Sequence, residues 1–289
     1  MDAIKEQVRN FVDQVNNIIT TIQGYTKVNS DTDEGSIFTG NSTINMTMEN
    51  IKSILSSIGV GFDRDIDTYP TLSTIGITTD AQTGSATYGQ LFLDESKLEE
   101  ALNSNAEAVA EIFSADLVAA TNSSDFREYS HINGLTEGGI YDVEYEINAS
   151  GEIVSAKIDG YDASIDNSKH VITSTKGNSK GLAIQIDNLG TGTYSGQIRL
   201  KKGKALELID KLEELTDSYS GPLHIMEDHL NDEIDMIDEQ IDNETVRLDT
   251  YERNLRDKFA RLEALLGYYN NLNTYLTSQI NSLPSTSSK

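Results

Sequence analysis

Residues 230–283 read LNDEIDMIDEQIDNETVRLDTYERNLRDKFARLEALLGYYNNLNTYLTSQINSL. Apolar side chains return every seven positions in two rows that are offset by three and four residues, which is the a/d pattern of a coiled coil. Glu244, Lys258 and Gln279 interrupt the second row. A helix with this pattern cannot bury its apolar stripe without another helix. We therefore predict a long C-terminal helix that assembles through one seam, whose members are Ile234, Ile237, Ile241, Leu248, Tyr251, Leu255, Leu262, Leu265, Tyr269, Leu272, Leu276 and Leu283.

Charge is segregated along this predicted helix. Residues 227–244 contain nine acidic side chains and no Lys or Arg, whereas five basic residues follow between positions 247 and 261. One interpretation is that the acidic run is a solvated helix face. The other is that a block of like charge sets the register or repels a wrong neighbour in an assembly.

The composition disfavours several classes of function. The chain has 289 residues and a formal net charge of -25, with a pI near 4.3. Nucleic acid and anionic membranes are poor partners for such a chain, because both attract clustered Lys and Arg. The chain contains no Cys and therefore no disulfide or thiolate site. No stretch approaches the roughly 20 apolar residues of a membrane span, so we expect no membrane insertion.

A second, shorter seam lies at the N-terminus. Apolar residues spaced alternately four and three apart predict an amphipathic helix that packs on other helices. Its seam consists of Ile4, Val8, Phe11, Val15, Ile18 and Ile22. Further along, Asp94 and Asn105 stand where helix N-caps are expected, and a helix is predicted from about Thr47.

The pattern changes to period two between residues 116 and 203. Tyr141, Val143, Tyr145 and Ile147 alternate with acidic residues, which predicts a strand with one buried face. Residues 60–94 also read as extended and hairpin-like, and the Gly-rich 190–196 reads as a hairpin turn. Helical patterns resume at 205, so the β-rich segment is predicted to be inserted into a helical domain.

These patterns together predict an α+β fold that is mainly α. It consists of a helical bundle body, an inserted small β-rich domain and a long C-terminal coiled-coil helix. The expected domains are a first body part with a β-hairpin at 1–115, the β-rich insertion at 116–203, a second body part at 204–262, and a coiled-coil leg and tail at 263–289.

The sequence offers no catalytic, cofactor or metal site. His224 and His229 are five residues apart and would lie on different helix faces. Asp63, Asp65 and Asp67 resemble the start of a calcium loop, but the glycine and glutamate that such a loop needs further on are missing. We interpret this triplet as surface turn chemistry.

Several segments resemble the C-terminal half of flagellar hook-associated protein 2, the family of flagellar filament caps. They occur in the same order across almost the whole chain: VRNFVDQVN at 8–16, GSIFTGNS at 35–42, GQLFLDESKLEEAL at 89–102, KGLAI at 180–184, GKAL at 203–206, YER at 251–253 and DKFARLEAL at 257–265. Residue 41 is Asn where the family usually has Asp, which can still support a turn.

This resemblance implies a non-enzymatic protein that forms a homo-oligomeric ring at the distal tip of the bacterial flagellum and assists flagellin folding and insertion. Flagellin, hook-filament junction proteins and an export chaperone are the implied partners. The protein would be extracellular and exported without a cleaved signal peptide. The family's N-terminal partner helix is absent from this sequence, so we expect a fragment or a truncated relative. The alternative function is an extracellular coiled-coil adhesin or fibre subunit with a β-rich binding domain.

Overall fold

The computed structural model describes residues 2–28, 34–82, 85 and 87–282. Its α-helices are α1 (Asp2–Thr26), α2 (Ser42–Ser56), α3 (Glu95–Ser114), α4 (Lys204–Thr216) and α5 (Pro222–Asn281). Its strands are β1 (Ile77–Thr79), β2 (Leu91–Leu93), β3 (Asp116–Thr121), β4 (Phe126–Ser130), β5 (Gly139–Ile147), β6 (Ile153–Ile158), β7 (Tyr161–Asp162), β8 (Ser164–Asp166), β9 (Val171–Thr173), β10 (Ala183–Ile186) and β11 (Gly192–Lys202). The α+β class predicted from the sequence is confirmed.

The chain divides into two compact units, Met1–His224 and Ile225–Lys289. The first unit contains two separate hydrophobic clusters. One is built mainly by α1, α2 and α3, with Leu208 from α4. The other lies among the strands from β3 to β11.

Side-chain caps set the helix boundaries near the first cluster. The Asp94 carboxylate accepts hydrogen bonds from the backbone N–H groups of Ser96 and Lys97 at 3.1 and 3.2 Å. Asn105 interrupts α3 with a non-helical φ of -156°, and its side chain accepts from the Ala108 N–H at 3.0 Å. Both residues satisfy backbone donors that a helix start leaves unpaired, so the two predicted N-caps are confirmed.

Two antiparallel sheets surround the second cluster. One has the strand order β3-β11-β5-β6-β7, and the other has the order β4-β10-β9-β8. On β5, Tyr141, Val143, Tyr145 and Ile147 are buried, while the residues between them are exposed. This alternation is what period two predicts for a strand with one solvated face.

Three local predictions were wrong. Leu72–Ile75 forms a 3-10 turn that ends at Gly76, whose φ of 93° favours glycine. The helix expected from Thr47 begins at Ser42, because Asn41 caps it by accepting from the Ile44 N–H at 3.1 Å. Residues from Gly192 onward belong to β11, not to a turn. A Cβ on Gly196 would lie 2.9 Å from the Phe126 ring, so glycine here makes room for an aromatic side chain.

Candidate assembly surfaces

Helix α5 carries the predicted C-terminal seam on an exposed surface. Its 60 residues correspond to about 90 Å at the usual helical rise. No described residue of α5 is buried. The described seam members are between 39% exposed (Leu255 and Leu272) and 64% exposed (Tyr251), and Leu283 lies outside the described residues. In the single chain the seam is therefore an open apolar surface.

The apolar stripe of α5 becomes wider toward its C-terminal end. Phe259, Leu266 and Ile280 each follow a member of the first row by four residues, and they are 62%, 55% and 66% exposed. Tyr268 and Tyr275 flank the same row on its other side. A two-row seam suits one partner helix, whereas a broader stripe suits burial between several elements. The two predicted rows do not include these residues, although their i+4 spacing follows from the sequence.

Helix α1 places its predicted seam at the edge of the first hydrophobic cluster. Val8 and Val15 are buried, whereas Ile4, Phe11, Ile18 and Ile22 are only partly buried and pack against the cluster. The fully buried face of α1 also includes Val12 and Ile19, which the narrow 3/4 spacing left out. This face is therefore wider than a coiled-coil seam and is typical of a helix in a globular core.

An apolar groove lies beside the half-buried residues of α1. It has a volume of about 580 Å³, and its apolar wall includes Ile4, Phe11, Phe113 and Ala205. The Phe11 and Phe113 rings meet edge to face, with centroids 5.3 Å apart. The polar residues at the groove are uncharged: Gln7, Asn10, Gln14 and Ser114.

A buried charge cluster connects the helical part of the first unit with the β-rich part. Asp67 accepts from the Arg199 guanidinium at 2.5 Å and from the Lys201 ammonium at 2.7 Å. Lys201 also contacts Glu111 of α3 at 2.8 Å. The side chains of Asp67, Arg199 and Lys201 are each less than a tenth exposed, and Arg199 Nε is buried without a hydrogen-bond partner. Asp67 therefore neutralises two cations of β11, a role that its position in the sequence did not indicate.

The proton affinities in this cluster follow from its geometry. Burial raises the pKa of Asp67, but hydrogen bonds from Lys201 and the Asp63 N–H, with the nearby positive charges, outweigh burial and leave this pKa below its usual value. Burial likewise lowers the pKa of Lys201, but its contacts with Asp67 and Glu111 more than offset burial and leave this pKa raised. The cluster thus favours the ionised form of both groups.

A second buried cation anchors the start of α4. Lys204 is fully buried, and its ammonium donates to Ser57 Oγ, the Ile58 carbonyl and Glu207 Oε2 at 3.0–3.1 Å. Glu207 also accepts from the Val60 N–H at 2.9 Å. Burial lowers the pKa of Lys204, and Glu207 opposes this effect only in part. These contacts tie α4 to the segment that follows α2.

The acidic triplet at Asp63, Asp65 and Asp67 makes hydrogen bonds and ion pairs within the protein. The Asp63 carboxylate accepts from the Asp65 N–H at 2.8 Å, and Asp67 accepts from the Asp63 N–H at 2.7 Å. Within the described parts of the chain, no group of three or more His, Cys, Asp or Glu side chains is placed to hold a metal ion. The triplet therefore consists of turn contacts and the ion pairs of Asp67.

A known protein family matches most of this chain. Residues 1–271 match the family described as flagellar hook-associated protein 2, C-terminus. The chain belongs to this family. The match covers both units, including most of α5.

Two curated relatives carry related names. The chain is 30% identical over 139 residues to a flagellar hook-associated protein 2 of Aeromonas caviae, which covers 46% of this chain and 28% of the relative. It is 31% identical over 115 residues to a lateral flagellar hook-associated protein 2 of Vibrio parahaemolyticus serotype O3:K6 (strain RIMD 2210633), which covers 40% of this chain and 23% of the relative. The chain thus spans about a quarter of the length of these relatives.

Within residues 2–28, 34–82, 85 and 87–282, no helix combines the length and the apolar content that a bilayer-spanning segment needs.

Proposed function

We propose that this chain is part of a structural cap protein at the distal tip of the bacterial flagellar filament, where it assists flagellin folding and insertion without acting as an enzyme. The observation that carries this proposal is the family match over residues 1–271. The names of the two relatives support the same flagellar role. The match does not favour the alternative of a generic adhesin.

The proposed location and partners follow from this role. The protein would act outside the cell, on the flagellum. Its partners would be further copies of itself in a ring, flagellin, junction proteins between hook and filament, and an export chaperone. No nucleic acid, cofactor or membrane insertion is part of the proposal.

In the proposed domain organisation, 1–115 and 204–262 form the body, 116–203 form an inserted β-rich domain, and 263–289 form the leg. Two observations support the insertion of 116–203 into the helical part. The strands β3 to β11 lie between α3 and α4 and have their own hydrophobic cluster. The Gly203 N–H donates to the Ala115 carbonyl at 2.8 Å, so the chain leaves and re-enters the helical part at one place.

We further propose that the α5 seam is the contact through which the protein assembles. Its apolar side chains are about half exposed in the single chain. Fully burying a Leu or Ile side chain is worth about 1.5–3 kcal/mol, so covering the exposed half of each would contribute roughly 1 kcal/mol. The eleven described seam members on one helix provide enough apolar surface for a stable contact.

The test uses two variants of the full-length protein in a bacterium that lacks its own cap protein. Leu262→Asp places a charge in the seam, whereas Ala264→Asp places the same charge two residues away on the opposite side of the helix. Electron microscopy should show short or absent filaments, with flagellin released into the medium, for Leu262→Asp only. Equal filaments from both variants would refute the role of the seam. Normal filaments after deletion of residues 1–271 would refute the cap function itself.

A further inference from the structure

An exposed turn that contains an Asn-Gly pair follows β4. Residues 131–135 read HINGL, and Asn133-Gly134 is the one Asn-Gly pair in the chain. The Leu135 and Thr136 N–H groups both donate to the Ile132 carbonyl, at 3.1 and 2.9 Å. Gly134 has a φ of 74°, which the third position of such a β-turn favours for glycine. Asn133 and Gly134 are both exposed.

The Asn133 carboxamide and the Gly134 backbone nitrogen are not held by hydrogen bonds in this turn. Among the described residues, no partner hydrogen-bonds to the Asn133 carboxamide or to the Gly134 N–H. A Cβ added to Gly134 would meet nothing within 4 Å, so the approach to this backbone nitrogen is open. Glycine also lacks the side chain that would hinder attack by its own nitrogen.

Two other asparagines that are followed by a small residue, Asn122 and Asn167, are held by hydrogen bonds. Asn122 Oδ1 accepts from the Gln197 N–H at 2.7 Å. Asn167 Oδ1 accepts from the Ile153 N–H at 2.7 Å, and its Nδ2 donates to the Ile153 carbonyl at 3.2 Å. Cyclisation of either residue would first break these bonds. Each is followed by Ser, whose side chain crowds the attacking nitrogen.

We propose that Asn133 is a site of spontaneous deamidation in the folded protein. The deprotonated Gly134 nitrogen attacks Asn133 Cγ and forms a new C–N bond. The bond from Cγ to Nδ2 then breaks, and the nitrogen leaves as ammonia after taking up a proton, which gives a five-membered succinimide. Water opens this ring at either carbonyl and yields aspartate or isoaspartate. No oxidant or reductant takes part.

The product changes both the charge and the backbone of this region. Asn133 and Gly134 line a cleft of about 700 Å³, whose wall also includes Asp116, Glu137 and Asp210. The wall also includes Lys202 and Lys211, so a new carboxylate adds to a wall in which acidic residues outnumber basic ones. Isoaspartate also lengthens the backbone of the turn that positions Thr136. Thr136 is buried, and its hydroxyl donates to the Lys180 carbonyl at 2.8 Å and accepts from the Ile132 N–H at 3.2 Å.

The experiment follows the purified full chain during incubation in a mildly alkaline buffer, with peptide mapping by mass spectrometry. Asn133 should deamidate faster than Asn122 and Asn167 by about tenfold or more, which corresponds to about 1.4 kcal/mol of activation free energy. Isoaspartate should appear in the same peptide by enzymatic methyl transfer. Rates at Asn133 equal to those at the two control residues would overturn the proposal.

Two further samples separate the contributions of sequence and fold. Asn133→Gln keeps a carboxamide but requires a larger ring, so the fast deamidation should disappear while the thermal midpoint stays unchanged. The wild-type chain in concentrated urea should deamidate faster at Asn122 and Asn167 than the folded chain, because their hydrogen bonds are lost. A fast reaction that persists at the same peptide in Asn133→Gln would assign it to another residue and overturn the proposal.

Discussion

Replacing Asp67 with asparagine should destabilise the first unit more than any single change of a surface charge. The amide has nearly the same shape as the carboxylate and can still accept the Asp63 N–H at 2.7 Å. It cannot neutralise Arg199 and Lys201, whose side chains are 6% and 9% exposed. The variant therefore leaves two buried cations with less negative charge and changes little else.

The expected loss of unfolding free energy depends on which acidic partners Arg199 and Lys201 keep. Removing one partner of a buried ion pair costs about 3–5 kcal/mol. Lys201 keeps Glu111 at 2.8 Å, whereas Asp67 is the one acidic partner of Arg199 among the described residues. We therefore expect a loss near the lower limit, about 3 kcal/mol. For a unit of this size, this corresponds to a fall in Tm of about 6–12 °C.

The assay is urea unfolding of the full chain, followed by circular dichroism and by tyrosine fluorescence, since the chain has no Trp. The matched control is Glu95→Gln, which also removes one carboxylate from an arginine contact. Arg9 and Glu95 are 2.6 Å apart, but their side chains are about half exposed. This control should lose less than about 1 kcal/mol.

Equal unfolding midpoints for Asp67→Asn and Glu95→Gln would refute the reasoning. They would show that the cluster is stabilised by packing alone or that solvent screens it. A further consequence concerns cooperativity, because Asp67 contacts β11 from the helical part of the unit. If the cluster couples the two hydrophobic cores, Asp67→Asn should separate the transitions seen by the two probes.

Four more outcomes are expected. Lys204→Met should lose about 1–3 kcal/mol in the same assay, because it leaves buried acceptors without their donor. Folding lowers the pKa of Asp67, so this carboxylate contributes fully to the free energy of unfolding above about pH 4. The contribution is lost as the pH falls through the folded pKa. The urea midpoint of Asp67→Asn should therefore change less on acidification than that of the wild type. Deleting 116–202 should leave the helices cooperative by circular dichroism, because the deleted strands have their own hydrophobic cluster; loss of cooperative unfolding would contradict the insertion. Hydrogen exchange should be slower at 244–262, which has helix-internal ion pairs, than at 268–281, which has no charged residue; equal protection would contradict this.

Sequence periodicity predicted the features that depend on local pattern. The helix caps at Asp94 and Asn105 and the buried face of β5 all depend on residues close together in the chain, where spacing alone fixes which side chains share a surface. The α5 heptads were visible for the same reason. Local sequence does not determine which surfaces cover those heptads in an assembly. The role of the α5 seam as an assembly contact therefore stays a proposal.

Sequence periodicity does not predict contacts between residues that are far apart in the chain. Asp67 and Arg199 are 132 positions apart, and nothing near either residue indicates the pairing. The triplet at 63–67 was therefore interpreted as a surface turn. Gly192 and Gly196 were misassigned for a related reason, because the need for glycine at Gly196 comes from the Phe126 ring, which is far away in the sequence.

The hydrogen bond between the Gly203 N–H and the Ala115 carbonyl also bears on how this protein can vary during evolution. Because the two ends of the β-rich segment meet at one point, replacing that segment by a longer or shorter one leaves the path of α3 and α4 unchanged. Gly203 itself is constrained, since a Cβ there would lie 2.3 Å from the Phe113 backbone. We therefore predict that relatives with a different β-rich segment keep a glycine at this position and supply cations to the residue that corresponds to Asp67.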